Sequence, residues 1–117
     1  MPDPVNHIIR VTFNHVPYPD EERVVDSVDY QPAVLWVLRG DTVQWISNYK
    51  LGVNFNKRSP FGKSRITTPA AEVLSAPETV LPDAVKGSYL YGTQGAKMEG
   101  SELRLSGDPG CPEIIVE

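Results

Sequence analysis

The 117-residue sequence contains one cysteine, Cys111, and two histidines, His7 and His15. A lone cysteine excludes an intramolecular disulfide and fits a reducing compartment. Apolar runs are only a few residues long, so no segment reads as a membrane-spanning helix. The start, MPDPVNHIIRV, has neither a basic stretch nor an apolar one of signal-peptide type. That reading places the chain in the cytoplasm, or in the periplasm or outside the cell if a leader has been removed. The formal charge of −4 argues against broad electrostatic binding to nucleic acid. No G-x-S-x-G nucleophile elbow is present. Gly62-Lys63-Ser64 lacks the earlier glycine of a phosphate-binding loop, since Lys57 stands in its place. The chain is therefore read as no enzyme. Helix-forming sequence is scarce too: only residues 70–76, AAEVLSA, have the propensity, and Pro69 and Pro77 bracket them, leaving room for at most one short helix.

What is abundant is turn chemistry. Eleven prolines and nine glycines imply short elements joined by many turns, which points to an all-β fold. Residues 5–14 alternate, with Ile9, Val11 and Phe13 on one face. VVDSVDY, AVLWVL, TVQWIS and LGVNFN follow as further strands, the second of them apolar on both faces. KRSPFGKSRITTP reads as loop. SYLY, ELRL and EIIV close the chain, separated by GTQGAKMEGS and SGDPGCP. Seven or eight short strands of this kind predict a single domain, residues 1–117, folded as a two-sheet Greek-key β-sandwich.

The order of two motifs carries a family resemblance. Gly40-Asp41-Thr42-Val43-Gln44-Trp45 precedes a loop and a strand. Gly87-Ser88-Tyr89-Leu90-Tyr91 precedes a glycine-rich stretch, Gln94-Gly95-Ala96-Lys97-Met98-Glu99-Gly100, and then a last strand. This arrangement resembles the cupredoxins, and the resemblance implies a cupredoxin-like sandwich with two metal-binding loops at one pole. The ligands do not carry over. A blue-copper site needs two imidazoles and a thiolate with a weak axial sulfur. Residues 47–56, SNYKLGVNFN, contain no histidine, and Gly92-Thr93-Gln94 follow Tyr91 where the resemblance expects thiolate and imidazole. Only Met98 stands at a ligand position. The expectation is a domain lacking the blue-copper ligands, with no cofactor. His7 and His15, eight residues apart in an extended segment, lie about 26 Å apart by strand geometry, too far to share an ion.

Two further patterns concern partners. Arg39-Gly40-Asp41 spells an adhesion tripeptide but joins two strands, so it reads as a turn. Between Asp41 and Glu72 there is no acid, while Lys50, Lys57, Arg58, Lys63 and Arg65 all fall in that interval with Tyr49 and Phe61 interleaved. A basic stretch of this kind suits a protein or other anionic partner. The resemblance places Tyr49, Tyr91, Gln94 and Met98 together at the vacant pole, as a second contact surface. The preferred reading is a non-catalytic binding or assembly module, including assembly with further copies of itself. The alternative is a redox or metal-binding protein whose atypical site uses Cys111, His7 or His15, and Met98.

Overall fold

The computed structural model describes residues 3–15, 24–55, 58–96, 104–105 and 112–117. Eleven strands occur among them: β1 (Asn6–His15), β2 (Val24–Gln31), β3 (Val34–Val37), β4 (Thr42–Ser47), β5 (Lys50–Asn54), β6 (Arg65–Thr67), β7 (Glu78–Thr79), β8 (Gly87–Leu90), β9 (Gly92–Ala96), β10 (Arg104–Leu105) and β11 (Glu113–Val116). No helix is present among the described residues, and hence none long and apolar enough to cross a membrane.

The first layer is the five-stranded sheet β10-β2-β1-β4-β7. Strand β1 runs antiparallel to β2 and parallel to β4, with Ile9 beside Trp45. The second layer is built from two three-stranded ladders, β3-β11-β8 and β6-β5-β9. They share one run of chain, residues 87–96, which pairs with β11 up to Leu90 and with β5 from Gly92 onward. Tyr91 interrupts the strand at the changeover, and its N–H goes instead to the Pro112 carbonyl at 3.1 Å. The two ladders therefore act as one staggered layer facing the first, giving the all-β two-layer sandwich expected from the strand pattern.

Period-two alternation explains the core. Ile9, Val11 and Phe13 of β1, Val43 and Trp45 of β4, Leu51 and Val53 of β5, and Ile114 and Val116 of β11 all turn inward and are buried in one cluster. Tyr30 of β2 crosses between the layers, its hydroxyl sharing a 2.7 Å hydrogen bond with that of Thr93. The burial of β-branched and aromatic side chains on one face of each sheet supplies the main drive to fold.

Several segments differ from the sequence reading. Residues 92–96, read as loop, form β9, because pairing with β5 holds them extended. Residues 65–67, also read as loop, form β6. Residues 70–76 form no helix: residues 70–72 make a turn in which Glu72 takes a φ of 59°, and the chain then follows β4, with Glu72 N–H donating to the Ser47 carbonyl at 2.7 Å and Ser75 N–H to the Trp45 carbonyl at 2.8 Å. Ser75 Oγ accepts the Trp45 N–H and the Ser75 carbonyl accepts from Gln44 Nε2, so side-chain bonds hold this segment where helix bonds cannot start. Strand β3 is not buried on both faces: Val34 and Trp36 stand exposed, as does Leu38 just after it.

Candidate functional site

The turn between β4 and β5 occupies the position where the sequence resemblance expects a ligand-bearing loop. Its polar atoms serve the chain itself. Asn48 Oδ1 accepts the Phe13 N–H at 2.9 Å, and Asn48 Nδ2 donates to the Phe13 carbonyl at 3.0 Å. This two-point clamp replaces ladder bonds that β1 would otherwise lack at that end. Ser47 Oγ accepts from the Tyr49 N–H, and the Tyr49 ring meets Phe13 edge-on at 6.2 Å. Sequence reasoning noted what this loop lacks and missed what Asn48 does; a polar amide in a tight turn was the only signal.

Tyr91 lies elsewhere. Lys50 pairs with Ala96 and Asn54 with Gly92, so Tyr49 and Tyr91 flank opposite ends of the β5–β9 ladder, roughly 20 Å apart along the strands. Tyr91 belongs to the core, against Trp45 at 5.9 Å, Phe55 at 5.4 Å and Tyr30 at 6.4 Å. Burial pushes its hydroxyl well above the ordinary phenol range; the Trp45 indole N–H opposes that shift and Tyr30 adds to it. The Trp45 Nε1 and Tyr91 hydroxyl are both buried, yet neither reaches a partner in full hydrogen-bond geometry among the described residues. Their proximity is enough to influence the ionisation without completing the bond. Phe61 is likewise core, edge-on to Trp45 and Phe55 at 5.8 Å each. Tyr91 and Phe61 thus pack the interior, and Met98 lies outside the described residues, so the aromatic pole is not assembled from these side chains.

The cations of the acid-free interval separate into three places. Lys50, Arg65 and Gln94 share the outward face of β5, β6 and β9, with Gln94 opposite Gly52 and Arg65 opposite Asn54. Arg65 Nη1 donates to Asn54 Oδ1 at 3.3 Å, and its guanidinium lies across Gly52, where a methyl group would come within 3.1 Å of Nη2. Arg58 stacks over the Tyr89 ring at 4.7 Å. Lys63 pairs with Glu78 of β7 at 3.0 Å and so ties the loop to the first layer. Lys57 lies outside the described residues. The loop is anchored by Phe61 and by the buried Pro60, whose carbonyl accepts the Leu81 N–H at 2.9 Å.

His7 is hydrogen-bonded to the Asp41 carboxylate, and Cys111 and the His15 side chain lie outside the described residues. Among the described residues, no three histidine, cysteine or carboxylate side chains gather as metal ligands do. Arg39 and Asp41 of the adhesion tripeptide are engaged in the fold: Arg39 Nε donates to the Ala84 carbonyl at 2.8 Å, Gly40 takes a φ of 91°, and Asp41 is buried. The tripeptide is a turn, as its position between two strands implied.

No family model matches the sequence, and no curated protein does. Solved structures similar to the chain include a pseudoazurin from Sinorhizobium meliltoi, at 19% identity over 97% of this chain and 75% of that one, with a TM-score of 0.46. They also include an oxidized proline-to-glycine mutant of amicyanin, at 21% identity over 90% of each chain, with a TM-score of 0.45. A reduced Cu(I) form of another amicyanin mutant matches at 16% identity over 91% of this chain and 80% of that one, with a TM-score of 0.42. The all-β two-layer architecture that the two motifs imply is the one the strand ladders themselves build.

Proposed function

We propose that the protein is a non-catalytic binding or assembly module that contacts an anionic partner through the outward face of β5, β6 and β9. The observation that carries this reading is the joint presentation of Lys50, Arg65 and Gln94 on one flat strand surface, with no acidic side chain on the described part of that face. Strands hold these groups in place before any partner arrives, so little ordering entropy is lost on association. Arg58, stacked on the inward-turned Tyr89, lies apart from this surface. Cations presented on a rigid surface steer acidic groups and fix their register more than they add raw affinity.

The test is retention on a sulfated polyanion matrix, read as the salt concentration needed for elution. Joint Lys50→Glu and Arg65→Glu substitution lowers that concentration clearly and leaves the melting temperature within a few degrees of the parent protein. Elution at the same salt by both proteins would count against the reading.

A further inference from the structure

The same outward layer carries a second patch of opposite character. On β3, Val34 and Trp36 stand exposed, Trp36 at 57%, and Leu38 just beyond the strand is exposed too. Strand register sets Trp36 beside Ile115 and Val34 beside Glu113, with Leu90 on the far side of Glu113 and 58% exposed. The apolar part amounts to roughly 400 Å², as large as the largest apolar patch on a typical monomer. Two carboxylates, Glu113 and Glu117, lie within it; Glu113 accepts a hydrogen bond from Ser88 Oγ. Apolar surface with acidic groups therefore lies on one side of the 87–96 strand, and the Lys50–Arg65 surface lies on the other.

We infer that a second copy of this chain docks face to face on this layer, with the Trp36 patch of each copy covering the Lys50–Arg65 surface of its partner. A two-fold axis parallel to the layer and lying between the two copies, level with Tyr91 midway between the patches, brings each patch onto the other. It sets Glu113 and Glu117 against Lys50 and Arg65 twice over. Gly52 offers no side chain, so the Trp36 ring approaches the Arg65 guanidinium, a pairing that favours an arginine over an indole face. The alternative two-fold arrangement, apolar patch on apolar patch, places carboxylate against carboxylate and cation against cation, and like charges oppose it. Both layers together bury about 1,000 Å², near the lower bound for a specific interface, so the dimer is weak and concentration-dependent. This inference rests on the reading of the Lys50–Arg65 surface as a contact face. It is tested on the purified protein alone, so that a chain failing to self-associate leaves the polyanion result standing.

Sedimentation equilibrium of the whole chain, from about 10 μM to about 500 μM, is expected to show a monomer passing to a dimer, with weaker association at high salt. Trp36→Ser lowers the association constant at least about ten-fold, as loss of a central aromatic anchor does. Lys50→Glu with Arg65→Glu in one chain, and Glu113→Lys with Glu117→Lys in another, each abolish the homodimer. Mixing the two variants restores association, because every facing pair is again opposite in sign. A monomer at every concentration, a dimer indifferent to Trp36→Ser, or a mixture that stays monomeric would each overturn the inference.

Discussion

His7 Nε2 lies 2.9 Å from Asp41 Oδ2, joining the start of β1 to the turn that opens β4. The same carboxylate accepts the Val5 N–H at Oδ1 and the Leu38 N–H at Oδ2, each at 3.0 Å. Burial alone pushes the Asp41 carboxyl up, but the Val5, His7 and Leu38 hydrogen bonds outweigh it and hold the group below its ordinary value of 3.8. A carboxylate with a lowered folded-state pKa contributes stability that is complete above the unfolded value and disappears as pH falls through the folded one. Asp41→Ala therefore costs about 2–4 kcal/mol near neutrality, since it leaves two backbone donors without their acceptor. Melting temperatures of the parent and Asp41→Ala proteins should converge as the pH drops below about 4, the carboxylate's ordinary range. A gap that stays constant down to the acid limit contradicts this account.

The contact between Trp45 and Tyr91 predicts opposite effects at its two members. Trp45 is fully buried and meets Phe61 and Tyr91 edge-on, so Trp45→Ala costs about 3–5 kcal/mol through the cavity it leaves. Tyr91→Phe keeps the ring contacts and removes a buried hydroxyl that completes no hydrogen bond among the described residues. It is expected to leave stability unchanged or raise it by up to about 1 kcal/mol. Urea unfolding of the two variants decides this, and a marked loss in Tyr91→Phe would mean that the hydroxyl does have a partner.

The layered all-β core was legible because Ile9, Val11 and Phe13, or Leu51 and Val53, repeat at a period that only a half-buried strand satisfies. Strand β9 was not, because Gly92-Thr93-Gln94-Gly95 carries turn residues whose extended state is imposed by pairing with β5, a tertiary effect that local propensity does not encode. Residues 70–76 illustrate the same limit: a turn at Glu72 and the bond from Gln44 to Ser75 fix a non-helical path against helix propensity. The acid-free interval was legible as charge. Its division among the Lys50–Arg65 face, the Arg58–Tyr89 stack and the Lys63–Glu78 pair depends on which strands become neighbours. The exposure of Trp36 was hidden for a related reason: an apolar run reads alike whether one or both faces find cover.

Gly52 separates packing from recognition. A methyl group there meets the Arg65 Nη2 at 3.1 Å, the far end of a flexible side chain, and the Gln94 carbonyl only at 3.8 Å. Gly52→Ala should shift stability by less than about 1 kcal/mol, since the guanidinium yields and the unfolded chain loses entropy. It should nonetheless lift Arg65 off the strand and change elution from the polyanion matrix. Unaltered elution together with unaltered stability would show that the position of Arg65 does not matter for binding.

Asn48 fixes the β4–β5 turn against β1 by two bonds to a single residue. Asn48→Ala removes both and leaves the Phe13 N–H and carbonyl unsatisfied at a partly buried site, at a cost of about 1–3 kcal/mol. Hydrogen exchange at the Phe13 amide should accelerate more than exchange at Ile9, which sits deeper along the same strand. Equal acceleration at both would point to global destabilisation and away from a local clamp.

The commitment of the Asn48 turn to the backbone of β1 also bears on metal chemistry. Its amide and the neighbouring Ser47 hydroxyl are already engaged, and Asn54 Oδ1 is held by Arg65, so an ion binding beside them must break fold-stabilising bonds. His7 is joined to Asp41 in the same way. Titration of the purified protein with Cu(II) is expected to produce no intense visible band of thiolate-to-copper type and no rise in melting temperature. An intense band that disappears in Cys111→Ser would establish the redox alternative and would move attention from the strand face to the segment around Cys111. A rise in melting temperature without colour would indicate a nitrogen and oxygen site, and loss of that rise in His7→Ala would identify its anchor.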